Sequence, residues 1–147
     1  MVVVLCGSGC GGLWEVIARE GLCKERADYE NALVRDALSP VLAQMGMGGS
    51  MEDQDDCDSS SYGSYVSVHV ANAEPEDVVA AFVRAGWSGG PVSERSRDCV
   101  GWCRAYELSK KVGERIVGVS LEGSTDVDIW VSAADDCWDA DGYRCPA

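Results

Sequence analysis

The stretch "YVSVHVANAEPEDVVAAFVRAGW" (residues 65–87) sets two hydrophobic periods side by side. In its first part Val66, Val68 and Val70 alternate with Ser67 and His69, the period of a strand with one buried face. In its second part Val78, Val79, Phe82 and Val83 recur at helical spacing. Pro75 suits the first helical position, the acids beside it suit the first turn, and Gly86 suits the stop. A strand running directly into a helix makes the unit mixed, and the downstream strands decide how the sheet is built.

Three more strands are expected there: "RAYELSK" (104–110), "RIVGVSLEG" (115–123) and "DVDIWVSA" (126–133). The "KVGE" link between the first two is short enough for a hairpin. In the last strand Val127, Ile129 and Val131 alternate with Asp126, Asp128 and Trp130, which turns Trp130 away from the core. Upstream, Tyr29, Leu33, Ala37, Val41 and Met45 keep helical spacing. Gly21 and Pro40 interrupt that run, so a short helix near 12–20 and a longer one near 25–47 are expected, with Ser39 as a cap where Pro40 restarts it. The fold class is therefore α+β: N-terminal helices plus a β-α-β-β-β unit, a mostly antiparallel sheet covered by helices on one face. Residues 11–147 form one domain in this reading, with an acidic loop at 48–64 and a cysteine-containing tail at 134–147.

The 147-residue chain carries a net charge of −13. Residues 1–50 hold 6 acidic and 4 basic side chains, a net −2, while residues 51–147 hold 19 and 8, a net −11. Phosphate binding needs clustered Lys and Arg, so nucleic acid is not an expected partner. A partner with a basic surface is. No apolar run is long enough to span a bilayer.

Eight cysteines imply either metal or disulfide chemistry. Zinc sites recruit close pairs, whereas here the nearest late pair, Cys99 and Cys103, has three intervening residues and His69 is the sole histidine. No metal or cofactor is expected. Cys23, Cys57, Cys99, Cys103, Cys137 and Cys145 are assigned to three disulfides of open connectivity, with Cys57 tethering the acidic loop.

The opening "MVVVLCGSGCGG" has two readings. Gly7, Gly9 and Gly12 keep the spacing of a dinucleotide-binding turn. That fold needs a second strand ending in an acid about 20 residues on. The sequence there, "CKERADYENALVRDAL", is polar and helical in period. The other reading takes residues 1–10 as the remnant of an export signal ending at a lipid-modified Cys10. Cys6 then falls in the removed segment and an even six cysteines remain. The "LCGSGC" start, the Gly-Gly after it, "RIVGVSLEG" and the "DIWVSAADDCW" strand resemble the small envelope lipoproteins of actinobacteria. That resemblance implies an α+β domain anchored to the outer face of the cytoplasmic membrane, with no established activity to carry over.

Candidate chemistry is sparse. His69 has Ser67 on the same side of its strand, and acids are plentiful, so an extracytoplasmic hydrolase using His69 or a carboxylate pair is the rival reading. It needs a deep cleft, and one that sets His69 beside a serine, Ser88 included, or a cysteine thiol would overturn the binding reading. Gly86-Trp87-Ser88-Gly89-Gly90 has the spacing of a nucleophile elbow, but a helix precedes it and a loop comes after it. The acid clusters Asp53, Asp55, Asp56, Asp58 and Asp139, Asp141 lack a complete calcium-loop pattern. The leading expectation is a non-enzymatic domain that binds a partner or envelope ligand through the sheet face bearing His69 and Trp130.

Overall fold

The computed structural model describes residues 11–57, 63–92, 104–134, 138–139 and 142–143. The chain is α+β, as its periods predict. It runs α1 (Gly11–Gln44), β1 (Met51–Asp55), β2 (Ser64–Val70), α2 (Pro75–Arg84), β3 (Ser88–Pro91), β4 (Arg104–Val112), β5 (Arg115–Gly123) and β6 (Val127–Ala133). A short antiparallel ribbon of β7 (Trp138–Asp139) and β8 (Gly142–Tyr143) comes last, in the stretch expected to be tail. The main sheet has the order β1-β2-β6-β5-β4-β3, and every pairing in it is antiparallel.

The inward residues are the ones the alternation singles out. Val66, Val68 and Val70 of β2, Val117, Val119 and Leu121 of β5, and Val127, Ile129 and Val131 of β6 are all buried. Against them pack Val34, Leu38, Val41 and Leu42 of α1 and Val78, Ala81 and Phe82 of α2, so both helices cover the same face. Val83, expected on the buried side of α2, is 52% exposed, and Ala81 takes its place. Pro75 opens α2, Glu76 and Asp77 lie in its first turn, and Gly86 leaves it with φ +86°. Trp87 then folds back edge-on to Phe82, with ring centres 5.3 Å apart.

Three local expectations are corrected. The two N-terminal helices are one continuous helix of 34 residues. Gly21 weakens a helix by only about 1 kcal/mol relative to Ala. Pro40 sits between Leu38 and the fully buried Val41 and Leu42, whose packing carries the helix through it. Ser39 does not cap a new helix; its hydroxyl donates back to the Arg35 carbonyl at 2.7 Å. The acidic segment 48–64 contains strand β1, and the Gly/Ser stretch after α2 contains β3. Neither strand shows an alternating buried face, because pairing to a neighbour, rather than core burial, orders each.

The outer edge of β1 is tied to α1. Asn31 donates through Nδ2 to the Gln54 carbonyl at 3.0 Å, and Arg35 Nε lies 2.6 Å from Asp53 Oδ1. Beside them the fully buried Glu30 receives both arms of Arg115 at 2.5 and 3.0 Å. Cys23 and Cys57, both buried, place their sulfurs 1.96 Å apart and close a loop of 34 residues between α1 and the end of β1. Both belong to the six cysteines assigned to disulfides, whose connectivity the sequence leaves open. Cys99, Cys103, Cys137 and Cys145 lie outside the described residues, as does Cys10 with the rest of residues 1–10.

Candidate functional site

With both helices on one face, the outward residues of the sheet form a second face on which no described element packs. Register decides what meets there. Ser67 of β2 is opposite Trp130 of β6, and His69 is opposite Asp128. Trp130 is in turn opposite Ser120 of β5, and Asp128 is opposite Glu122. The outer neighbour of Ser67 is Glu52 of β1, and that of Ser120 is Glu107 of β4. His69 and Trp130 therefore share one side of the sheet, on diagonally adjacent positions.

Where β1 begins at Met51 and the chain turns through Gly49 (φ +98°), this face sinks into a hollow of about 560 Å³. Ser50, Glu52, Ser67, His69, Asp128 and Trp130 are among the residues lining it. The volume falls within the usual range of ligand pockets, about 300–1,000 Å³. Trp130 remains 39% exposed, a large apolar surface left in water.

His69 Nδ1 donates to Asp128 Oδ1 at 2.8 Å. That hydrogen bond raises the imidazole pKa above its ordinary 6.5, and the charges of Asp128 and Asp126 add to it against an opposing effect of desolvation. The tight turn between β5 and β6 sets these acids in place. A Cβ on Gly123 would lie 1.9 Å from the Asp126 carbonyl oxygen, so only glycine allows the chain this close. Asp126 in turn accepts the backbone N–H of Asn72 at 2.8 Å, which fixes the turn against the exit of β2.

The hollow does bring His69 together with Ser67 and Ser50, the juxtaposition a hydrolase would need. Its geometry is that of an exposed pair. The side chains of His69 and Asp128 are 59% and 56% exposed, so the Nδ1–carboxylate bond, which a triad would also use, is made in solvent rather than in a closed cleft. Ser88 opens β3, four strand spacings or about 19 Å from β2, and donates instead to the Ser109 carbonyl at 3.4 Å. Of the acid clusters, Asp53 is held by Arg35, and Asp55 Oδ1 accepts the Cys57 N–H at 3.2 Å. Asp58 and Asp141 lie outside the described residues. Among the described residues no group of three or more His, Cys, Asp or Glu is placed to hold a metal. Gly12 lies in the first turn of α1, and Gly7 and Gly9 lie outside the described residues. Among the described strands the main sheet has no parallel pair of the kind a dinucleotide cradle requires.

Two participants escape sequence reading. Glu52 and Ser50 belong to a segment read as a loop, and only the pairing of β1 with β2 brings them beside Trp130. Asp128 is legible as an outward acid, but its place opposite His69 depends on register.

The fold and this surface define a class: an α+β domain whose antiparallel sheet is covered by helices on one side and bears an aromatic, acidic hollow on the other. No family model, curated protein or solved structure matches the chain. Among the described residues no helix is long and apolar enough to cross a membrane.

Proposed function

We propose that this chain is a non-enzymatic binding domain, tethered by a lipid on Cys10 outside the cytoplasmic membrane, that holds a partner against the uncovered face of its sheet. The observation that carries the reading is the hollow itself, where Trp130, His69, Asp128 and Glu52 converge beside the exposed start of β1. A large aromatic surface ringed by polar groups is the usual anatomy of a contact centre. The "LCGSGC" start supports the anchor, and the Cys23–Cys57 pair suits an oxidising compartment.

In-cell photocrosslinking tests it. A benzophenone amino acid at Ser120, the cross-strand neighbour of Trp130, should give a light-dependent adduct of one discrete mass, lost on Trp130→Ala. The same group at Val83, on the helical side, should give none. Absence of an adduct from position 120, or its survival in Trp130→Ala, would overturn the reading. Intact mass of the protein from its host should show diacylglycerol on Cys10 with residues 1–9 removed.

The second reading, a serine hydrolase built on Ser67, His69 and Asp128, rests on their meeting in one hollow. A fluorophosphonate that labels Ser67 in the native protein but not in His69→Ala would establish it.

A further inference from the structure

The binding reading leaves the occupant open, and the arrangement around Trp130 narrows it. Five strands contribute one lateral row on the uncovered face: Glu52, Ser67, Trp130, Ser120 and Glu107, in that order across the sheet. Trp130 is the centre of this row. A small hydroxyl stands on either side of it, and a carboxylate stands two strand spacings away in each direction, about 10 Å. In the adjoining row Asp128 and Glu122 are directly opposite each other on β6 and β5.

Like charges at directly opposed positions destabilise a sheet, and here His69 bonds to only one of the two. Glu52, Glu107 and Glu122 have no ion-pair partner among the described residues. Several cations of the described chain are turned elsewhere. Arg35, Lys110 and Arg115 reach Asp53, the Ala85 carbonyl and Glu30, and Arg104 pairs with Glu74 and Glu76 at the start of α2. The hollow thus combines an indole face, which attracts a cation through its ring quadrupole, with the carboxylates of Glu52 and Asp128 in its wall, while Glu107 and Glu122 add negative charge on the far side of Trp130.

Resting on the binding reading, we infer that the hollow receives a basic side chain, lysine or arginine, of a protein partner, with its charged head against Trp130 and within reach of the Glu52 and Asp128 carboxylates that line it. The serines on either side of the ring are small enough to leave that face clear. Acidic glycans, nucleic acid and anionic headgroups are repelled by the same carboxylates.

The test is an amide and indole NMR titration of the ¹⁵N-labelled full chain with two probes, a blocked tri-lysine peptide and neutral chitotriose. Tri-lysine should shift the Trp130 indole resonance and the amides of Ser67 and Ser120. Trp130→Leu, which keeps apolar bulk without a π face, should weaken this binding at least about threefold, and Glu122→Gln should weaken it as well. Equal binding by Trp130→Leu would reduce the effect to unspecific charge and overturn the inference. Shifts with chitotriose alone would overturn the cationic occupant while leaving a binding domain. Silence with both probes, together with no adduct from position 120, would overturn both.

Discussion

His69 is joined to Asp128 by a hydrogen bond that both partners make in solvent, and its consequence is a change in proton affinity rather than a large stabilisation. The folded-state pKa is raised above 6.5, so any stability the contact contributes is fully present below that value and is lost as pH rises through the folded pKa. Titration of the ring by NMR should give a midpoint above 6.5, and Asp128→Asn should return it toward 6.5; an unchanged midpoint would show that the bond does not persist. The buried ion pair is a different case. Glu30 is fully buried and Arg115 partly so, with 17% of its side chain exposed; removing one member of a fully buried pair typically costs about 3–5 kcal/mol, and this pair falls at the lower end or below. Arg115→Met should lose up to about 3 kcal/mol in urea unfolding, and the double change with Glu30→Leu should cost less than the single one, because no buried carboxylate then lacks the guanidinium.

At the scale of elements, the β5–β6 turn determines how Asp126 and Asp128 face β2. Gly123→Ala would drive a methyl group into the Asp126 carbonyl and the start of β6. A loss of about 1–3 kcal/mol is expected from such crowding, together with a displaced His69 resonance; unchanged stability would mean that the turn yields freely. The elements themselves are legible to different degrees. Strands β2, β5 and β6 bury one face, so their alternation appears in the letters, and with it the outward direction of His69 and Trp130. Strands β1 ("MEDQD") and β3 ("SGGP") bury almost nothing, and backbone pairing leaves no periodic trace in side chains. Gly21 and Pro40 are breakers by local propensity, but tertiary packing of Val41 and Leu42 overrides the second. The hollow is the least legible feature, since opposing His69 to Asp128 and Ser67 to Trp130 requires the register of strands that are far apart in sequence.

Across the described molecule, packing on the sheet is one-sided. The helices lie on one face of the sheet, and the acids around Trp130 lie on the other. Helix α1, with 34 residues, spans about 51 Å at about 1.5 Å per residue, and among its described side chains the contribution to the main core begins at Val34. Residues 23–31 are held by a separate small cluster of Cys23, Ala27 and Cys57, by the Glu30–Arg115 pair and by Asn31. Such a cluster buries little apolar surface, so the covalent link between Cys23 and Cys57 adds to the Asn31–Gln54 and Arg35–Asp53 contacts in joining α1 to β1. Closing a 34-residue loop restricts the unfolded chain by about 3–4 kcal/mol. Replacing both cysteines with alanine should therefore lower stability by up to that amount. Hydrogen exchange locates the effect: amides of residues 23–31 and 51–57 should lose protection first, while those of β5 and β6 open only with global unfolding. Since Glu52 belongs to β1, the same variant should also weaken binding at the hollow. Uniform loss of protection across the sheet would instead mean that the link stabilises the domain as a single cooperative unit.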